Sequence, residues 1–244
     1  MQRAAIGILL VLAVLFGGML HLIGLTAETA TQARMATGIA RMTTGLIVIW
    51  VVLGGGLMYL GRDRIAAVLR RIPLDERVKF TLFAVLLACI EEAVTVSMTN
   101  LAPLFGAQVG EAYITASANY PDVIAFHSVV VFVPYFIILP LLLARRAFTP
   151  FAVFLSFGVV GTLCEAIFAG NLGVVVGFPM WAFVYGLMVW LPAYCMQRPD
   201  ARPVGWAGNL MLAPTVFVLA LPLVALEAWV ITGALGHPGM HFGG

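Results

Sequence analysis

The chain has 244 residues, 62% hydrophobic and only 10% charged, with a formal net charge of +2. Soluble domains carry about 25% charged residues, so a mean hydropathy of +1.06 excludes an ordinary water-soluble globule. The weak, dispersed basicity also gives no nucleic-acid footprint, and three cysteines in apolar runs give no disulfide framework.

A bilayer-crossing helix needs about 20 apolar residues. The hydropathy pattern predicts seven, at about 4–25, 44–61, 78–99, 123–144, 149–170, 175–196 and 207–234. The first run is longer than the 7–15 apolar residues of a signal-peptide core and reads as a span. The connection 26–43 is rich in Ala and Thr and reads as a short interfacial helix. The connection 62–77 spaces Ile65, Val68, Leu69 and Ile72 as on an amphipathic surface helix. Gly54, Gly55 and Gly56 read as a close-packing surface of the second span. The segment 100–122, with its Gly, Pro and Asn residues, is the longest connection on its side and is expected to fold back over a site there. The fold expected is an all-α polytopic membrane helix bundle, with 1–244 as a single transmembrane domain.

Basic residues orient such a bundle. With the N-terminus cytoplasmic and the C-terminus outside, Arg3, Arg62, Arg64, Arg70, Arg71, Arg77, Lys79, Arg145, Arg146, Arg198 and Arg202 fall inside, and only Arg34 and Arg41 fall outside. The same topology gathers His21, His127, His237 and His241 on the outer side. Glu28, Glu91, Glu92, Glu111, Asp122, Glu165 and Glu227 go with them. An acidic, histidine-bearing face suits a cationic ligand. His237 and His241 lie in a Gly-rich tail and read as simply exposed. A bacterial inner membrane is the expected location.

The most informative residues are the glutamates inside apolar runs. A carboxylate at the centre of a bilayer costs about 2.5–3.5 kcal/mol even on lenient scales. His21, Glu92, Glu165 and Glu227 each lie roughly 14–21 residues past the start of an outward-running span, about 21–31 Å along it. His127 falls near the same level at the start of a descending span. Glu91 points about 100° away from Glu92, so the two cannot face one site equally. Thr95, Thr99, Asn100, Asn119 and Asn171 lie nearby and are read as partners that orient carboxylates.

Mixed carboxylate and imidazole ligands from several helices suit a divalent metal ion, Zn, Mn or Fe. Glu92, Glu165, His127, His21 and Glu227 are the candidate ligands, and Glu91 is the candidate catalytic general base. The leading reading is an integral membrane protein with an outward-facing intramembrane Glu/His site, metal-binding, and in one version a metal-dependent enzyme acting on a lipid or other hydrophobic substrate. Two others stay open: a cation- or proton-coupled transporter, and a non-catalytic subunit of a larger complex with other membrane subunits, holding haem or a pigment. The Glu91-Glu92 pair with His127 is reminiscent of intramembrane glutamate proteases of the CAAX-processing type. In that family the pair precedes an arginine. Here Ala-Val-Thr-Val follows, and no later histidine restores the spacing, so membership is not assigned.

Overall fold

In the computed structural model the described residues are 2–27, 29–196, 202–240 and 242. The expectations for Glu28, Arg198 and His241 lie outside them. Seven helices among the described residues are long and apolar enough to cross a membrane. They are α1 (Gln2–Leu25), α2 (Ala30–Leu69), α3 (Glu76–Asn100), α4 (Tyr120–Leu143), α5 (Pro150–Phe168), α6 (Leu172–Cys195) and α7 (Trp206–Ala234).

Five spans sit close to the predicted ranges, and α7 fits within a residue of its start. The main correction is α2, which runs unbroken for 40 residues. At 1.5 Å per residue this is about 60 Å, twice the hydrocarbon thickness. Thr29 starts it by accepting a hydrogen bond from the Gln32 amide at 3.2 Å, and the first proline comes only at 73. Nothing in 30–69 forces a break, so neither 26–43 nor 62–69 is a separate surface helix. The polar-looking first stretch is half core. Gly38, Ala40, Met42 and Thr43 are buried, and Met42 joins Met98, Ala102, Ala107 and Ala112 in a small cluster of its own.

Helix α6 is the centre of the bundle, packed against α1, α2, α3 and α5. Its closest seam is with α5. A Cβ added at Gly158 would sit 2.7 Å from the Ala182 backbone, and one at Gly186 would sit 2.8 Å from the Phe154 carbonyl. Small residues are what allow two backbones to approach this closely. The expected close-packing run at 54–56 contributes less. Gly55 faces Leu187, but a Cβ at Gly56 would meet nothing.

Polar backbone atoms inside the bundle find partners across helices. Pro140 has no N–H, so the Phe136 carbonyl one turn earlier loses its helical donor. Thr81 of α3 supplies one, its hydroxyl donating at 2.8 Å. The buried Trp50 indole of α2 donates to the Val184 carbonyl of α6 at 2.9 Å. Such cross-helix repair keeps interrupted helices tenable in an apolar surround.

The alternating helices give the bundle two chemically different ends. One end carries the α2–α3, α4–α5 and α6–α7 connections and most of the arginines. There Tyr194 donates to Asp63, and a two-residue parallel bridge pairs Arg146 with Arg202. The opposite, acidic end carries the 101–119 segment and the chain after α7. Gly158→Val drives a side chain into the Ala182 backbone, and overpacking of this kind costs about 1–3 kcal/mol. We expect a lowered thermal unfolding midpoint in detergent for Gly158→Val, with Gly56→Ala unchanged; equal midpoints would remove the α5–α6 seam from the account.

Candidate functional site

The acidic end holds two neighbouring polar groups built from different helices. The first begins with Glu91 and Glu92 on α3, which are 2% and 7% exposed. As adjacent helical residues they diverge. Glu92 Oε2 accepts from Thr95 at 2.7 Å and from Thr115 of the 101–119 segment at 3.3 Å, and the Ser128 hydroxyl of α4 lies beside the same carboxyl. Glu91 faces the other way, within electrostatic reach of Glu165 on α5 and Tyr185 on α6. The Tyr185 hydroxyl donates to Glu165 Oε1. Glu91 Oε2 is buried without a hydrogen-bond partner, an arrangement that is costly unless it serves a purpose.

Of the predicted partners Thr95 does orient a carboxylate, and Thr99, Asn100, Asn119 and Asn171 take other tasks. Thr95 serves Glu92, not Glu91. The Thr99 hydroxyl accepts from the Ile114 amide and Asn100 donates to the Ala118 carbonyl, so both tie down the 101–119 segment. Asn119 and Asn171 cap helix starts. The segment does fold back over the site, with Thr115 as its contact to Glu92. Its rim is fixed by Arg34, which binds both oxygens of Glu111.

The second group is Asp122, His127 and His237, whose ligand atoms all lie within 4.8 Å of one another. Asp122 Oδ2 is 3.1 Å from His127 Nε2, and Oδ1 is 2.8 Å from His237 Nε2. The three side chains are 9%, 4% and 16% exposed. Ser117 hydrogen-bonds the Asp122 carboxyl. His127 ends a π-helical stretch, Val123–His127, at the start of α4. Residues five apart stand about 140° apart around an α-helix, whereas a π turn brings i and i+5 into register. His237 follows α7 and stacks on Phe126, with ring centroids 4.4 Å apart. Its Nδ1 is 3.0 Å from the Pro238 carbonyl. The carbonyl accepts there, while Nε2 faces Asp122 Oδ1 at 2.8 Å.

The sequence-predicted residues thus divide. Glu91, Glu92 and Glu165 gather in the first group and His127 in the second. His21 stands apart, its Nε2 3.0 Å from the Thr44 hydroxyl, tying α1 to α2. Since Thr44 donates to the Ala40 carbonyl, the histidine is the donor in that bond. Glu227 is half-buried on α7, with Oε2 unpartnered and Tyr135 within electrostatic reach. Sequence reasoning missed Asp122 as a member of this group and misread His237 as exposed. The five-residue spacing of Asp122 and His127 was the available signal, and it is legible only if a π turn is assumed.

No family model, no curated protein and no solved structure matches this chain. Its chemistry is therefore read from the site itself. A metal ion is what the Asp122, His127 and His237 group could hold: one hard oxygen and two imidazole nitrogens leave coordination positions open for water or substrate.

Two expectations follow from the hydrogen bonds. Removing the Tyr185 hydroxyl strands the Glu165 carboxyl, a loss of about 1–3 kcal/mol for a buried acceptor. Tyr185→Phe should lower the unfolding midpoint, whereas Tyr59→Phe at an exposed ring should not; indistinguishable midpoints would discount the bond. Glu111, outside the spans, has its carboxyl held below the usual range by Arg34 and by the Gln108 amide. A depressed carboxylate stabilises above its unfolded value, about 4.3, and that contribution is lost as pH falls through the lower folded value. Limited proteolysis within 101–119 should accelerate on acidification below about pH 4, and Glu111→Gln should cleave readily at every pH. A pH-independent rate in the parent protein would contradict the assignment.

Proposed function

We propose that this chain is a membrane-embedded metalloprotein that binds one divalent cation through Asp122, His127 and His237, at the acidic end of a seven-helix bundle. The supporting observation is the convergence of those three ligand atoms from α4 and the segment after α7. Zinc is the best match to two imidazoles and one carboxylate with an open position, and Mn or Fe suit the same donors. The Pro238 carbonyl on His237 Nδ1 supports this, because metal-bound histidines commonly donate their second nitrogen to such a group.

The orientation that fits is basic end inward and acidic end outward, following the distribution of arginine. In this reading Asp122, His127 and His237 would hold the ion, which would supply Lewis-acid activation of a water molecule. The substrate is a hydrophobic molecule approaching from the outer leaflet. Glu91, Glu92 and Glu165 form an adjacent acidic group that takes up and returns protons, with Glu91, whose Oε2 is unpartnered, as the acceptor.

The test is metal binding by full-length protein in detergent, stripped with chelator and titrated with Zn, Mn or Fe(II). One equivalent per chain is expected. Asp122→Asn and His237→Gln should each weaken binding by at least the roughly 10–100-fold seen when only a supporting partner of a ligand is lost. Binding should also weaken on acidification, because the ligand is the neutral ring. A Glu92→Gln protein that loses the metal while Asp122→Asn keeps it would transfer the site to the glutamates and end this version.

A further inference from the structure

The basic end carries a cavity of its own, about 290 Å³, far along the helices from the carboxylates. Its walls are the end of α4 (Leu142, Arg145, Arg146), Phe148 just before α5, and the first turns of α7 (Gly208, Met211, Leu212, Thr215). Two arginines and a threonine therefore line a surface otherwise made by apolar residues and a glycine. Among the described residues neither Arg145 nor Arg146 is ion-paired. Other cations at this end differ in their surroundings: Arg62 lies beside Asp63 and covers the Tyr59 ring, Lys79 binds Glu76, and Arg64, Arg70, Arg71 and Arg77, also without an ion pair among the described residues, do not line the cavity. A third arginine, Arg202, is brought alongside Arg146 by the two-residue bridge.

The backbone adds to the same charge. Gly208 lies in the first turn of α7, and the helix cap, Gly205, offers no side chain to its free amides. A helix start in that condition favours an anion, and it stands here beside two arginines that have no ion pair among the described residues. The apolar wall does not suit a small hydrated anion alone. Met211 is 58% exposed on the outside of the bundle, next to the buried Leu212, so the cavity opens along the apolar flank on which a lipid chain would lie.

We propose that this cavity binds the phosphate group of an anionic phospholipid, with Arg145 and Arg146 as the phosphate ligands, Thr215 as a hydroxyl donor, and Leu142, Phe148 and Met211 against the upper acyl chain. Arginine suits the task because its fork meets two phosphate oxygens at once. Basic pockets between spans on the positively charged side are the usual form of such sites. The inference depends on the helices being membrane spans and is independent of the metal.

The experiment is native mass spectrometry of the full-length protein in detergent, titrated with phosphatidylglycerol, phosphatidylcholine or inorganic phosphate alone. Phosphatidylglycerol should bind at one copy per chain, at least tenfold more tightly than phosphatidylcholine. The paired change Arg145→Ala with Arg146→Ala should abolish that preference. The charge-matched control Arg70→Ala with Arg71→Ala, at exposed positions of the same end, should leave it intact. Met211→Trp, which fills the cavity and keeps every arginine, should also weaken binding, so a loss in both variants cannot be put down to misfolding from lost charge. Equal binding of the two lipids overturns the proposal, as does a preference that survives the Arg145/Arg146 change. Inorganic phosphate binding as tightly as phosphatidylglycerol, with Met211→Trp silent, overturns the lipid assignment in favour of a free phosphate. Metal content should be unchanged in every variant, which separates this outcome from that of the metal titration.

Discussion

An apolar bundle has no water to satisfy its buried polar atoms, so every such atom must find a partner on a neighbouring segment. That constraint organises the structure. The carbonyl orphaned by Pro140 is met by Thr81. The Trp50 indole is met by a carbonyl of α6. Glu92 draws on α3, the 101–119 segment and α4 together. All but the Thr95–Glu92 bond cross between elements, so the polar inventory also specifies which helices are neighbours. Glu91, Glu227 and Asn209 each keep one buried oxygen without a partner, and of these Glu91 lies where three carboxyl groups and a tyrosine meet.

Packing and polarity are coupled at that point. A Cβ on Gly161 would fall 2.1 Å from the Tyr185 ring. The missing side chain therefore makes the space in which the ring lies. From there its hydroxyl reaches Glu165, one turn beyond Gly161 on the same helix. The α5–α6 seam is thus both the tightest packing in the core and the support of one acidic side chain. Aromatic rings continue outward from it, with Phe132 5.0 Å from Tyr185 and 5.7 Å from Phe157.

The spans were legible because twenty-residue apolar runs have few other physical meanings, and the three clustered glutamates were legible because lipid makes an idle carboxyl expensive. What escaped was local geometry. Thr31, Thr37, Thr43 and Thr44 made the start of α2 look like a connection, although threonine on a helix can face a protein core as readily as water. The π turn at Val123–His127 removes the 3.6-residue rule at the place where Asp122 must meet His127. His237 could not be placed from its neighbours in the chain, because glycine and proline around it carry no periodicity. Its position is set by Phe126 and Asp122, more than a hundred residues earlier.

The segment after α7 is fastened to the rest of the acidic end. Phe242 packs on Tyr113 with ring centroids 4.4 Å apart, and it also lies over Gly110. His237 is therefore held between the first turn of α4 and a strap that ends on the 101–119 segment. The cluster thus draws its members from both ends of a long stretch of chain, two from the start of α4 and one from beyond the last long helix. Loss of the strap would take one imidazole from it while leaving the seven long helices in the sequence.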